Sequence, residues 1–286
     1  GVFSLPDFDE IEEAIRENKP GALLVIPYDN PTGQCYGRDL MAALAGLCVR
    51  YGLWMISDEA YRELYYQGSA AVSIWDLTNH DVPGIEGRRI SIESSSKVWN
   101  ACGLRIGALV TDSEEFHRRS VAEYTANLCP NAIGQYIFGA LAHESRQDLH
   151  GWYGRQRDYY QELMTRLTGE LISSLPGIIV SIPAASIYSV VDVREITRPG
   201  FSALDFVLFC ARRGKVPLKE GDFTLLVAPM SGFYEGGPVG TERTGEESSE
   251  NPGLTQMRIA YVEPPEQMNR VPHLFKELLT RFERQR

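Results

Sequence analysis

A chain of 286 residues, 43% of them hydrophobic and 23% charged, has the composition of a globular protein and room for one large or two modest domains. Its net charge of −10 is spread along the sequence with acids and bases mixed, which argues against nucleic acid as a bulk electrostatic partner. No apolar run approaches the ~18 residues of a membrane span, and the first residues lack the basic-then-apolar pattern of a secretory leader. The five cysteines, Cys35, Cys48, Cys102, Cys129 and Cys210, are scattered and show no Cys-x-x-Cys spacing. They predict reduced thiols in a cytoplasmic protein, and neither a disulfide framework nor a metal site.

In chain order, residues 7–18 carry apolar side chains at helical spacing with acids in the first turn, which predicts a helix. Residues 22–27 form a short continuous apolar run, expected to be a parallel strand covered on both faces. Residues 38–51 read as an amphipathic helix closed by Gly52, and 53–56 as the next buried strand. A third strand is predicted at 88–92 and a fourth, antiparallel because its connection is short, at 104–110. Helices are predicted at 113–124, 132–144 and 151–175, the last stopped by Pro176-Gly177. The rhythm then changes to strands at 178–182 and 186–193, a helix at 203–212, and strands at 223–228 and 257–262. A helix at 264–286 closes the chain. The Gly-, Glu-, Ser- and Thr-rich stretch 231–253 reads as a long surface loop or lid. The expected fold is α/β: a mostly parallel sheet in residues 1–160, then a smaller α+β domain in residues 161–286.

Three polar segments fall at the predicted C-terminal ends of strands, the edge where open α/β sheets bind ligands. They are Asp29-Asn30-Pro31-Thr32-Gly33, Ser57-Asp58-Glu59-Ala60-Tyr61 and Ser94-Ser95-Ser96-Lys97. A lysine between serines at a strand end can form a Schiff base with an aldehyde cofactor. Serine hydroxyls beside it, and Arg105 further on, are groups that hold a phosphate. Each segment also has a plainer reading. Asn-Pro and Thr-Gly are ordinary turn dipeptides, an Asp after a strand is usually a cap, and a Ser-rich turn with a lysine is usually solvated.

Together with Gly103-Leu104-Arg105-Ile106-Gly107 and Arg258-Ile259-Ala260-Tyr261, these segments occur in an order that strongly resembles the class I/II aminotransferases. These are pyridoxal-phosphate enzymes of the aspartate aminotransferase fold. The resemblance implies pyridoxal 5'-phosphate as cofactor, an amino acid and a 2-oxo acid as substrates, and a homodimer. It assigns Lys97 to the cofactor's aldehyde and to proton transfer, Asp58 to the pyridine nitrogen, and Tyr61 and Asn30 to the ring oxygen. Ser94, Ser96 and Arg105 fall at phosphate positions. Arg258, with Asn30, falls where the family holds the substrate carboxylate, and Phe233 and Tyr234 are its expected neighbours. None of the five histidines clusters or takes a role.

The family's phosphate-binding glycine-rich turn and its ring-stacking aromatic are not found in this sequence. That predicts a piece of a longer enzyme, with exposed sheet edge and apolar surface and doubtful activity on its own. The leading activity is amino-group transfer. The alternatives are a carbon–sulfur β-lyase or an ACC-synthase-like reaction on the same fold, or a truncated, non-catalytic aminotransferase-like domain. On the leading reading Asn30, Asp58, Lys97 and Arg105 converge at one sheet edge, and Arg258 faces them.

Overall fold

A computed structural model describes residues 1–66, 72–127, 130–234 and 251–285. Cys129 and the middle of the predicted loop at 231–253 lie outside the described residues. The chain begins with α1 (Phe8–Asn18), whose start is closed by the Asp7 amide donating to the Glu10 carboxylate at 3.2 Å. Then come β1 (Ala22–Val25), α2 (Arg38–Tyr51), β2 (Trp54–Asp58), β3 (Arg89–Ser94) and β4 (Gly107–Thr111). They form one sheet in the order β1-β2-β3-β4; the first three strands are parallel and β4 is antiparallel to β3. Helix α2 matches its predicted bounds because Gly52 ends it in the left-handed conformation, φ 70°, where a glycine carries no Cβ penalty.

One sheet face packs on α1 and α2 through Ile15, Met41, Leu44, Cys48 and Met55. The expectation that β1 is covered on both faces fails: Leu24 is 55% exposed, and β4 is exposed along most of its length. Periodicity reports that a run is apolar, not what lies above it.

Helices α3 (Glu114–Asn127), α4 (Ala132–Gly139) and α5 (Arg146–Ser174) follow, with α5 the longest at 29 residues. The predicted helix at 132–144 ends at Gly139 and tightens into a 3-10 turn, Ala140–His143. A second sheet, in the order β5-β6-β10-β9, is built from β5 (Ile179–Val180), β6 (Tyr188–Asp192), β9 (Ala228–Pro229) and β10 (Gln256–Ala260). It packs with α5, α6 (Ala203–Arg212) and α8 (Val271–Gln285) around Leu167, Val191, Phe206, Met257, Phe275 and Leu278. Among the described residues no helix is long and apolar enough to cross a membrane.

Two predicted elements are corrected. The strand predicted at 223–228 is strand only at its ends: Phe223 closes β8 (Gly221–Phe223), which forms a hairpin with β7 (Val216–Leu218), and Ala228 opens the short β9. The closing helix is broken into α7 (Pro265–Met268) and α8, with Pro272 in the first turn of α8, where its missing N–H costs nothing.

Asp192 ties the end of β6 to β10. Its carboxylate accepts from Arg194 Nε at 2.8 Å, Thr255 Oγ1 at 2.8 Å and Gln256 Nε2 at 3.0 Å. Burial acts to raise its pKa, but the hydrogen bonds from Arg194, Gln256 and Thr255 overcome this and leave the net shift downward. The folded chain therefore binds this proton less readily than the unfolded chain, whose Asp titrates near ~3.9. The stabilisation is present above that pH and is lost as pH falls toward the folded value. Asp192→Ala is expected to cost about 2 kcal/mol in urea denaturation at neutral pH. The difference from the parent should shrink as the pH falls below about 4; a constant difference would remove Asp192's charge from the account.

Candidate active site

Because β1, β2 and β3 run parallel in neighbouring positions, the segments after them emerge along one edge of the sheet. Asn30 follows β1, Asp58 ends β2 and Lys97 follows β3. These loops pack away from the first core and toward the second. Tyr28, Tyr61, Tyr66 and Val98 belong to the hydrophobic cluster of the C-terminal sheet.

The turn after β2 is fixed from below by Glu59, which is 2% exposed. Its carboxylate accepts from Arg62 Nη1 at 2.6 Å, the Ile74 amide at 2.7 Å, Ser73 Oγ at 2.8 Å and Ser57 Oγ at 3.1 Å. Arg62 also donates to Glu93 of β3 at 3.0 Å, so one guanidinium fastens the turn to the strand that leads to Lys97. A buried charge is tolerated when it is paired and hydrogen-bonded in this way. Asp58 itself accepts from the Ala60 amide at 3.1 Å, the capping contact that its position after a strand suggests.

Tyr61 lies at the centre of the remaining groups. Its hydroxyl is 2.8 Å from that of Tyr188, and Lys97 Nζ is 5.8 Å from its ring centroid. Its phenol is held in the neutral form, its pKa raised first by burial and then by the bond to Tyr188; the charge of Asp58 pushes the same way, against that of Arg258. The charges of Asp58 and Arg258 are therefore both felt at one phenol.

Arg258, in β10, reaches across to the loop after β1. Its Nη1 donates to Asn30 Oδ1 at 2.6 Å, joining residues 228 apart in sequence. The guanidinium lies 4.3 Å from the Tyr188 ring centroid and 5.5 Å from that of Phe233. Its Nε is buried with no hydrogen-bond partner. A buried N–H left unpaired is costly, and a guanidinium edge matches a carboxylate. This atom is the plainest signal of an anionic ligand among the described residues.

The predicted phosphate groups lie in the β3–β4 connection. The Ser94 hydroxyl accepts from the Ser96 amide at 3.1 Å, and the Ser95 amide donates to the Ile106 carbonyl at 3.1 Å, which holds this turn beside the segment carrying Arg105. Arg105 adopts φ 53° and is exposed; its Nη1 donates to the Cys102 carbonyl of its own turn at 3.0 Å. The structure thus gathers Asn30, Asp58, Tyr61, Lys97 and Arg258 and sets Ser94 and Ser96 on the adjoining turn, whereas the Arg105 side chain, expected to converge with them, is exposed and bonded within its own turn. Phe233 joins the first group by its contact with Arg258, whereas Tyr234 donates to Gln256 Oε1. Tyr188 is the member that the sequence reading missed.

The donor set fits a phosphorylated pyridine aldehyde and a carboxylate substrate: one amine, one carboxylate, a neutral phenol, two hydroxyls with a guanidinium, and a second guanidinium with an unpaired N–H.

The chain is 24% identical over 215 residues to an aspartate aminotransferase of Geobacillus stearothermophilus, covering 74% of this chain and 52% of that protein. It is equally 24% identical over 223 residues to a cystathionine beta-lyase of Bacillus subtilis, covering 77% and 54%. The fold superposes on a PLP-bound putative aminotransferase from Clostridium difficile with a TM-score of 0.76 at 15% identity, covering 96% of this chain and 61% of that one. The chain thus spans about half the length of these two curated relatives. The family description Aminotransferase class I and II matches residues 4–216. This chain belongs to the class I and II aminotransferase family, with its α/β fold.

Proposed function

We propose that the chain carries the cofactor-holding and carboxylate-holding parts of a pyridoxal-phosphate aminotransferase, which moves an amino group between an L-amino acid and a 2-oxo acid. The observation that carries this reading is the Arg258–Asn30 contact at 2.6 Å with the buried Nε unpaired. It supports a carboxylate-binding role for Arg258, whose charge acts on the phenol that Lys97 approaches.

Pyridoxal phosphate supplies an electron sink for the carbon beside the reacting nitrogen. On this reading the chain does the rest. Lys97 provides the amine for the aldehyde and carries the proton of the substrate's α-carbon. Asp58 holds positive charge on the pyridine nitrogen, and Tyr61, kept neutral by burial, donates to the ring oxygen. Ser94, Ser96 and Arg105 hold the phosphate, and Arg258 orients the substrate through its carboxylate.

We further assign the PLP-binding part to residues 1–160 and the smaller domain to residues 161–286. Helix α5 supports this division. In its first half, Trp152 Nε1 donates to the Val98 carbonyl at 2.9 Å beside Lys97. Its buried positions Leu163, Met164, Leu167 and Leu171 belong to the second core. A homodimer in the cytoplasm completes the reading and follows the family.

A second reading, elimination at a carbon–sulfur bond, is favoured by the similarity to a β-lyase. One experiment separates them: supply the protein with pyridoxal phosphate and an amino acid, with and without a 2-oxo acid. Transfer predicts a new amino acid made from the added oxo acid, and turnover that stops without it. Release of ammonia and a thiol from a cysteine-type substrate without any acceptor would replace transfer with elimination.

A further inference from the structure

The buried tyrosine Tyr188 opens β6, 5% exposed, in a run that reads as ordinary core. It touches both halves of the site. Its hydroxyl meets that of Tyr61 at 2.8 Å, and the two rings meet edge to face with centroids 5.8 Å apart. Its face lies under the Arg258 guanidinium at 4.3 Å. The register explains the second contact: Arg258 pairs with Val190 and Ala260 with Tyr188, so Tyr188 and Arg258 are diagonal neighbours, within reach of an aromatic and a long side chain.

Two phenols sharing one hydrogen bond place one proton between their oxygens, and either hydroxyl can be its donor. Whichever donates, the bond fixes the Tyr61 oxygen against Tyr188, and the cation over the Tyr188 ring adds a second attraction on the same side chain.

We propose that Tyr188 is a positioning residue that locks the Tyr61 phenol and the Arg258 guanidinium into one unit, its hydroxyl bonded to that of Tyr61 and its ring under the guanidinium. The ring sets the carboxylate side of the site and the hydroxyl sets the cofactor side. The proposal rests on the active-site reading above, and it separates two roles that one substitution can divide.

The test uses Tyr188→Phe and Tyr188→Leu in the full chain, with two probes and no turnover: pyridoxal phosphate binding by visible absorbance and succinate binding by calorimetry. Tyr188→Phe keeps the ring, so succinate affinity should stay within about twofold, while pyridoxal phosphate affinity should fall about threefold to tenfold. Tyr188→Leu should lose that same factor and, in addition, about fivefold for succinate. Should Tyr188→Leu fail to fold, the split between the two probes in Tyr188→Phe decides alone, since a general loss of packing would weaken both. Unchanged affinities in the Tyr188 variants, with Arg258→Ala and Tyr61→Phe each weakening binding, would overturn the proposal and leave the active-site reading standing. If Arg258→Ala and Tyr61→Phe also bind as the parent does, or if the parent takes up neither probe, both fall.

Discussion

Lys97→Ala is expected to lower amino-group transfer by about 10⁴-fold or more, the combined loss of a covalent amine and a general base. The size of the effect follows from how few substitutes exist. The sequence has five lysines, and the others are Lys19, Lys215, Lys219 and Lys276. Lys19 follows α1, Lys215 and Lys219 flank β7, and Lys276 lies on α8, so none of them belongs to the loops after the parallel strands. Lys97 alone follows β3 and approaches Tyr61. Lys97→Arg is the sharper control: it keeps a cation near that ring but has no amine able to condense with an aldehyde. It should be as inactive as the alanine variant and should retain the fold. Repeated turnover by either variant, measured as product beyond one equivalent per chain, would remove Lys97 from the chemistry.

Arg258→Ala should reduce kcat/KM for an amino acid by roughly 30-fold to 10³-fold. Truncating one partner of a desolvated charge pair costs about 2–4 kcal/mol, and ~1.4 kcal/mol is tenfold. The variant also leaves Asn30 Oδ1 without the donor it has in this structure. Arg258→Lys should recover only part of the loss, because an ammonium lacks the planar fork that pairs with a carboxylate. An amine substrate lacking the α-carboxylate provides the internal check. Its slow reaction should be nearly indifferent to Arg258→Ala. Equal losses for both substrates would make Arg258 a structural residue that holds Asn30 and Tyr188, with no direct part in recognition.

Much of this site is legible in the sequence, and the reason is topological. A strand–helix–strand rhythm between residues 22 and 56 implies parallel strands. Parallel neighbours deliver their following loops to one edge, so Asn30, Asp58 and Lys97 meet without any knowledge of side-chain contacts. What stays hidden is settled by distance along the chain. Tyr188 reads as one more strand residue, since its partner Tyr61 lies 127 positions away. The burial of Glu59 is likewise set by groups that fold onto it, Arg62, Ser73 and the Ile74 amide. The strand predicted at 223–228 fails for a local reason. Only its ends are strand, Phe223 closing β8 and Ala228 opening β9, and apolar content alone does not register the irregular stretch between them. The break before α8 had a signal in Pro272, which belongs in a first turn and not in a helix interior.

The most direct measurement of the central claim is chemical mapping of the amine that takes the cofactor. The chain is incubated with pyridoxal phosphate, reduced with borohydride, digested and analysed by mass spectrometry for the pyridoxyl-phosphate adduct. The account predicts one adduct per chain, on the peptide containing Lys97, abolished by Lys97→Arg and weakened by Tyr61→Phe. Adducts spread over Lys19, Lys215, Lys219 and Lys276 in proportion to their exposure, with Lys97 unmodified, would contradict it.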